Sequence, residues 1–589
     1  VAVTGVQTCA LPISKMALSF AFDSAKKTGN QPYGMSFAFN NANELPIPLN
    51  NRTNNLEANL EYGNSEGMIR FGWQASYFNN AIHDIVWDNP QRATDFSPYD
   101  PNGYSNGNGP AQGRMAMPPD NSMNIVSATG LYRFPGHTAV TGTLWFSAMN
   151  QNDTLIPWTT NPAIANAGVY QTFRGLASLP RSTAEAKVHG LNGSFNLTSR
   201  PNNFFGINMR YRYNDHKNLT PVFDGREWVR FDAVPEEAET GLSERFSIRQ
   251  NTFDLTGTFR LAPYTSLNLG YIFDDYQRTG RAFSDMRDYT LRAALDMLKS
   301  QYVTVRAAYD HTTRIGAGFS EASIEDGGSQ PGLRFYDEAD RDRNKGSLIV
   351  TVTPVSILDF SFQIASGKDV YKGEGHEFGL LNNDNQSYNV GASVQPMDAV
   401  TIGMSYGKEK FSSFQNSRNA NPIGSDYGSW TDPNRTWNLS NDEHVNNFLA
   451  YLDLANAIKH TDIRLSYDYS DSDQAFIHSG PRIVELATNT ALTAGDAKPC
   501  AAGLTSCFQA LPNVTNTWKR LSADLRYHFT TKVGVGVSYW YEKFDVSDFA
   551  TLDITPGVPR IDYLGSLTTG YGNRPYKGQT GFVRLLYTF

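Results

Sequence analysis

The stretch INMRYRY, residues 207–213, changes chemistry at every step. On an extended chain Ile207, Met209, Tyr211 and Tyr213 fall on one side, and Asn208, Arg210 and Arg212 on the other. A side-chain period of two is that of a β-strand with one apolar and one polar face. The pattern recurs along the chain. FDLTGTFRL (253–261) sets Phe253, Leu255, Gly257, Phe259 and Leu261 against Asp254, Thr256, Thr258 and Arg260. LSADLRYHF (521–529) sets Leu521, Ala523, Leu525, Tyr527 and Phe529 against Ser522, Asp524, Arg526 and His528.

Composition gives the alternation a solvent. Aromatic residues make up 13% of the 589 residues, with Tyr 30, Phe 35 and Gly 49, while the mean hydropathy is −0.43. No run approaches the roughly 18 apolar residues of a membrane helix. Alternating strands that show lipid an apolar side and a wet lumen a polar side produce this combination. A net charge of −8 and a pI of 5.7 provide no basic footprint for nucleic acid.

The connections complete the pattern. Short turns fall at 134–138, 199–202, 262–265, 298–301, 353–356, 395–398 and 529–532; long polar loops fall at 79–121, 150–186, 214–250, 313–345, 408–443, 471–517 and 544–577. Strict alternation of short and long connections predicts an all-β, large transmembrane antiparallel β-barrel in the outer membrane of a Gram-negative cell, with short periplasmic turns and long extracellular loops. About 21 strands are visible. If the short turns are periplasmic, the last strand, 579–589, runs down. The first, 16–22, is read as running down too, so an upward strand is expected before it and the total becomes even, at least 22. The end GFVRLLYTF places Phe589 and Tyr587 on one face with Leu585 and Val583, resembling the C-terminal assembly signal of bacterial outer-membrane barrels.

Residues 1–13 break the pattern. They have no basic n-region or small-residue cleavage site, and Pro12 interrupts the only apolar patch, so they form neither a signal peptide nor a membrane span. Val3 to Ile13 translates the read-through of a common sequencing adapter. The segment is therefore read as non-native, and residues 14–589 as a single barrel domain incomplete at its N-terminus. With Cys9 set aside, Cys500 and Cys507 remain, in PCAAGLTSCF. A local disulfide in an oxidising compartment fits them, with unpaired thiols as the alternative; zinc would need two further ligands nearby.

No catalytic, cofactor or metal constellation is found. GYSNG (103–107) matches the G-x-S-x-G pattern but lies in the turn-rich YDPNGYSNGNGP rather than in a strand–turn–helix. No C-x-x-C-H is present, so this chain attaches no c-type haem itself. DEADRDRN (337–344) lacks the spacing of a calcium loop and reads as a solvated acid–base loop. The residues expected to line the lumen include Arg210, Arg212, Arg260 and Arg526.

Three stretches carry a resemblance: LPIPLNNRTNNLEANLEYGN (45–64), IHDIVWDNP (82–90) and GRMAMPPDNS (113–122). They resemble the decahaem-associated outer-membrane barrels of the MtrB/PioB type, and they are expected in or beside loops. The resemblance implies up to 26 strands and an insulating sheath around a periplasmic multihaem c-type cytochrome, for electron transfer to or from external metals. It implies an outer-surface multihaem cytochrome as a further partner and haem c carried by the partner, none on this chain. A bore built from 22–26 strands, about 4.8 Å apart and tilted about 40°, has a backbone diameter of roughly 45–52 Å. The competing reading is a solute transporter: a TonB-dependent receptor or a large porin.

A Cys500–Cys507 bridge in the exported protein is expected to appear as one linked peptide in non-reducing peptide mapping. Its reduction should leave the barrel intact, because the bridge closes only a short loop. Recovery of both thiols free rules it out.

Overall fold

The computed structural model describes the chain except residues 1, 4–6, 14, 37–41, 89–111, 158–178, 226, 231–233, 238–241, 301, 320–329, 331, 374, 421–428, 432, 480–483, 486–489, 492–510, 550–559, 562–566, 569–574 and 588–589. GYSNG, Cys500, Cys507 and Phe589 lie outside the described residues.

Twenty-one strands form the wall. They begin with β1 (Gln7–Ile13), β2 (Met16–Ser36), β3 (Ala42–Gly63), β4 (Gly67–Asn80), β5 (Asn121–Phe134), β6 (Thr138–Gln151) and β7 (Ala186–Ser199). There follow β8 (Phe205–Asn218), β9 (Ile248–Ala262), β10 (Thr265–Arg278), β11 (Phe283–Ser300), β12 (Val303–Phe319), β13 (Asp340–Val355) and β14 (Leu358–Lys372). The last are β15 (Phe378–Met397), β16 (Val400–Arg418), β17 (Thr436–Ile458), β18 (Thr461–Ser479), β19 (Val514–His528), β20 (Val533–Ser547) and β21 (Tyr576–Tyr587). Each pairs antiparallel with the next, from Gln7 to Tyr587. Among the described residues the helical content is one 3₁₀ turn, Pro433–Arg435.

Register shows why alternation makes a two-faced wall. Directly paired residues share a face. One such row runs Phe195, Tyr211, Phe253, Phe273, Tyr289 across β7–β11; another runs Leu197, Met209, Leu255, Tyr271, Leu291. A third runs Ile207, Gly257, Leu269. Many of these side chains are exposed, among them Leu144, Leu269, Leu291, Met404 and Leu585. Only ten hydrophobic residues are buried among those described, and four of them are alanines. A chain this long with so small a core must take its apolar solvent from outside, and in a barrel that solvent is lipid.

The apolar band has two measurable edges. At the turns, Tyr132 and Phe134 pack edge to face at 4.7 Å, and Tyr527 and Phe529 do so at 5.1 Å. At the other edge, Asp215, Asp275, Lys368, Asp471 and Lys543 are the first outward charges on β8, β10, β14, β18 and β20, each ten residues beyond the strand's first residue. Ten residues at about 3.4 Å, tilted about 40°, rise about 26 Å, the thickness of a barrel's apolar band.

Three expectations change. Connections at the outer end are not uniformly long: five residues separate β2 from β3, four separate β10 from β11, and five separate β14 from β15. In the second and third, Gly280 (φ +66), Gly373 (φ +123) and Gly375 (φ +66) supply left-handed backbone that permits a tight reversal. Second, Met16 opens a strand that runs up; the downward strand before it is β1, paired Ile13 with Met16 to Gln7 with Phe22. An unpaired strand edge recruits whatever backbone adjoins it. Third, residues 45–63 of the first motif lie within β3 rather than in a loop.

Leu269→Arg, on the lipid row, is expected to cost about 2–4 kcal/mol of insertion free energy and to deplete the heat-modifiable folded band on a cold gel. Gln363→Arg, at the same height on the polar face of β14, should leave that band unchanged. Equal behaviour of the two would refute the face assignment.

Candidate functional site on the polar wall and outer rim

The face opposite the apolar rows lines the interior of the barrel, and it holds the four arginines marked in the sequence. Arg210 stands opposite Asn196 and Asp254. Arg212 stands opposite Ser194 and Thr252 and helps to line a shallow cavity with Trp145, Asn192 and Gln250. Neither guanidinium makes a hydrogen bond or ion pair among the described residues. Arg260 donates from Nη1 to the Asn203 carbonyl at 3.4 Å. Arg526 donates to Asp524 Oδ1 at 3.0 Å, and Asp524 also receives Ser538 and Arg584.

A denser network sits higher on the wall, at residues the sequence reading passed over. Arg314 holds Asp288 in a fork, 2.7 and 3.1 Å, and Arg341 adds a third bond at 3.2 Å. Arg292 forks onto Asp310 at 2.9 and 3.0 Å, and Arg343 binds Asp369 at 2.6 Å. The partners stand directly opposite each other on adjacent strands: Arg314 with Asp288, Arg292 with Asp310, Arg343 with Asp369. Planar guanidinium matches carboxylate in this two-bond geometry. The sequence signal was the spacing: Asp288, Arg292 and Asp296 alternate along β11, and Arg341, Arg343 and Lys345 alternate along β13, all on the polar face.

DEADRDRN is therefore not a solvated loop. Asp340 to Asn344 belong to β13. Glu338 is 3% exposed and accepts the Ala282 amide at 2.9 Å; Asp337 takes Arg278 at 2.7 Å. The segment preceding β13 crosses the outer rim: Gln330 accepts from Ser417 on β16, Gly332 accepts the amides of Glu377 and Phe378, and Arg334 lies 4.3 Å over the Phe319 ring. His376, in the short connection beside this strap, is held below the usual histidine range by burial and by the Arg334 charge.

The three family-like stretches meet at one place. Asp84–Asp88, from the second, pairs with Gln112–Ala116, from the third, in a small hairpin. Gly113 lies against the Trp87 indole, where a Cβ would sit 2.3 Å from the ring, and Arg114 binds Asp84 at 2.7 Å. The hairpin stacks on the first stretch: Met35, Ile47 and Met117 are buried, with Leu45, Ile82, Ile85, Trp87 and Met115 packed around them. Asp120 anchors the third stretch by accepting the Asn80 amide at 2.7 Å. The three motifs build an apolar knob on the upper ends of β2 and β3. Among the described residues no group of three His, Cys, Asp or Glu side chains converges as a metal site would.

Asp288→Asn should leave Arg314 and Arg341 facing each other without a counter-charge. Breaking a buried pair in this way costs about 3–5 kcal/mol, read as a lower unfolding temperature of the detergent-folded barrel. Arg210→Gln, at an unengaged guanidinium, should shift it little.

Solved outer-membrane receptors share the fold. The ferric-catecholate import receptor Fiu from E. coli K12 aligns with TM-score 0.51 and 10% identity over 99% of this chain and 79% of its own. The FrpB iron transporter from Neisseria meningitidis aligns with TM-score 0.50 and 8% identity over 90% and 74%. At such identity the likeness is one of architecture, an outer-membrane barrel. No curated protein matches the sequence. A model of the MtrB/PioB outer-membrane β-barrel porins matches residues 9–589. The chain belongs to the MtrB/PioB family of outer-membrane β-barrel porins.

Proposed function

We propose that this barrel sheathes a periplasmic multihaem c-type cytochrome and insulates its electron transfer across the outer membrane, without acting as an enzyme. The observation that carries the reading is the family membership over residues 9–589. The polar wall supports it. A closed barrel of about 22 strands has a bore of tens of ångströms, too wide for its own side chains to fill, and an empty bore of that width would leak metabolites. Arg210 and Arg212 project from that wall without protein partners among the described residues, and a cytochrome surface or water would satisfy them.

In this reading haem c belongs to the partner, which supplies the redox chemistry, while the barrel supplies shape and a dry jacket. An outer-surface multihaem cytochrome would meet the long extracellular connections. The two import receptors of similar fold give no preference for solute transport, because their likeness is in the strands alone.

Purification of the barrel from its native membrane should bring down a haem-staining partner. In liposomes enclosing a redox dye, the complex should pass electrons from an external reductant and the barrel alone should not. Equal dye reduction by the bare barrel, or consistent absence of a cytochrome, would remove the sheath reading in favour of transport.

A further inference from the structure

The outward face of the last three strands carries a feature that the sheath role does not use. Lys519, Lys543 and Lys577 are directly opposite one another on β19, β20 and β21. Cross-strand partners have Cβ atoms about 4.5–5.5 Å apart, and like charges so placed oppose folding. The three share a face with Leu521, Ala523 and Leu525 on β19, Val535, Val537 and Tyr539 on β20, and Val583 and Leu585 on β21. They therefore point at the membrane rather than into the lumen.

Their height is fixed by the same count that sets the apolar band. Lys519 lies nine residues from the turn end of β19, and Lys543 and Lys577 lie ten residues from those of β20 and β21. Nine to eleven tilted residues cross the hydrocarbon core, so the row stands where outer-leaflet headgroups begin. Tyr539 and Tyr541 lie just beneath it, and Lys519 rests 5.6 Å over the Tyr469 ring. The nearby acids lie in the next row up: Asp545 binds Lys543, and Asp471 accepts the Thr517 hydroxyl at 3.0 Å. Lys519 and Lys577 are both exposed.

We propose that Lys519, Lys543 and Lys577 form a binding site for the phosphate groups of a phosphorylated glycolipid of the outer leaflet, with its acyl chains lying on the apolar face below. Three ammoniums converging on one anion turn a repulsive row into a favourable one, and position selects a membrane lipid over a soluble phosphate. A lysine stem can lie along the apolar surface while its head reaches the headgroup layer.

The test uses the full chain folded in detergent, with folding verified by heat-modifiable mobility, and measures binding of diphosphoryl lipid A by native mass spectrometry. The triple variant Lys519→Gln/Lys543→Gln/Lys577→Gln should bind at least tenfold more weakly, about 1.4 kcal/mol. Lys459→Gln, in a periplasmic turn, should bind like the parent. Should the triple variant fail to fold, Lys577→Gln alone, at an exposed position, should still weaken binding by at least twofold. Removal of the phosphates from the lipid should cost the parent a similar factor and the triple variant little. Undiminished binding by the variants, or equal binding of dephosphorylated lipid to the parent, overturns the proposal. Inorganic pyrophosphate binding as tightly as the lipid would overturn its assignment to a lipid.

Discussion

Everything in this chain follows from the need to pair backbone N–H and C=O groups where no water reaches them. In hydrocarbon an unpaired peptide group costs several kcal/mol, so a spanning sheet must give every strand two neighbours. The unbroken series of antiparallel pairings meets that need for β2 to β20, each hydrogen-bonded to a strand on either side. It also explains the near absence of a core. With Met286 and Phe378 among the few large apolar side chains out of contact with solvent, the ladder supplies the order that packing supplies in a water-soluble protein.

Side chains are then free to differ around the wall. Across β11–β14 the upper polar face is a lattice of guanidinium–carboxylate pairs, each formed between strands. Lower on β14–β16 the same face carries no charge through Ser361, Gln363, Asn389, Gly391, Gly403 and Ser405. Glycine leaves room for a neighbour at two of these places: a Cβ on Gly391 would sit 2.6 Å from the Ser361 hydroxyl, and one on Gly403 2.4 Å from the Tyr451 ring. The interior thus has a charged sector held by its own ion pairs and a neutral sector of small side chains where another surface can approach closely.

How much of this was legible in the sequence depends on the range of the interaction. Alternation is local, so INMRYRY revealed both faces of β8, and turns such as SRPN fell where the strands end. Asp288 and Arg341 are 53 residues apart and meet only because β12 and β13 fold back in register; composition gave no measure of that, and DEADRDRN looked like open solvent. Two of the short outer connections, 279–282 and 373–377, were missed because their signal is one or two glycines inside long alternating runs. The three family-like stretches looked like separate loop motifs, although Trp87, Gly113 and Ile47 belong to one packed knob. Cross-strand register, which sequence does not carry, is the missing variable in each case.

Strand length shows how far the wall rises above the membrane. Crossing the apolar band takes about ten residues, yet β3 has 22, β15 has 20 and β17 has 23. Because the turns at Gly63–Gly67, Met397–Val400 and Ile458–Thr461 end these strands at the periplasmic edge, the excess stands on the outer side. For β17 that is about 13 residues, or roughly 34 Å at the tilt used above. Such a collar has water on both faces, so its strands need polar and ionic ties that lipid-embedded segments do not. Those ties are present there: the Asp288 cluster, the strap from Gln330 to Asp340, and the knob on β2 and β3 all lie in the upper part of the wall. An outer-membrane barrel that only sealed a hole could end at the headgroups. This one carries a rim above them, braced by those ion pairs and by the packed knob.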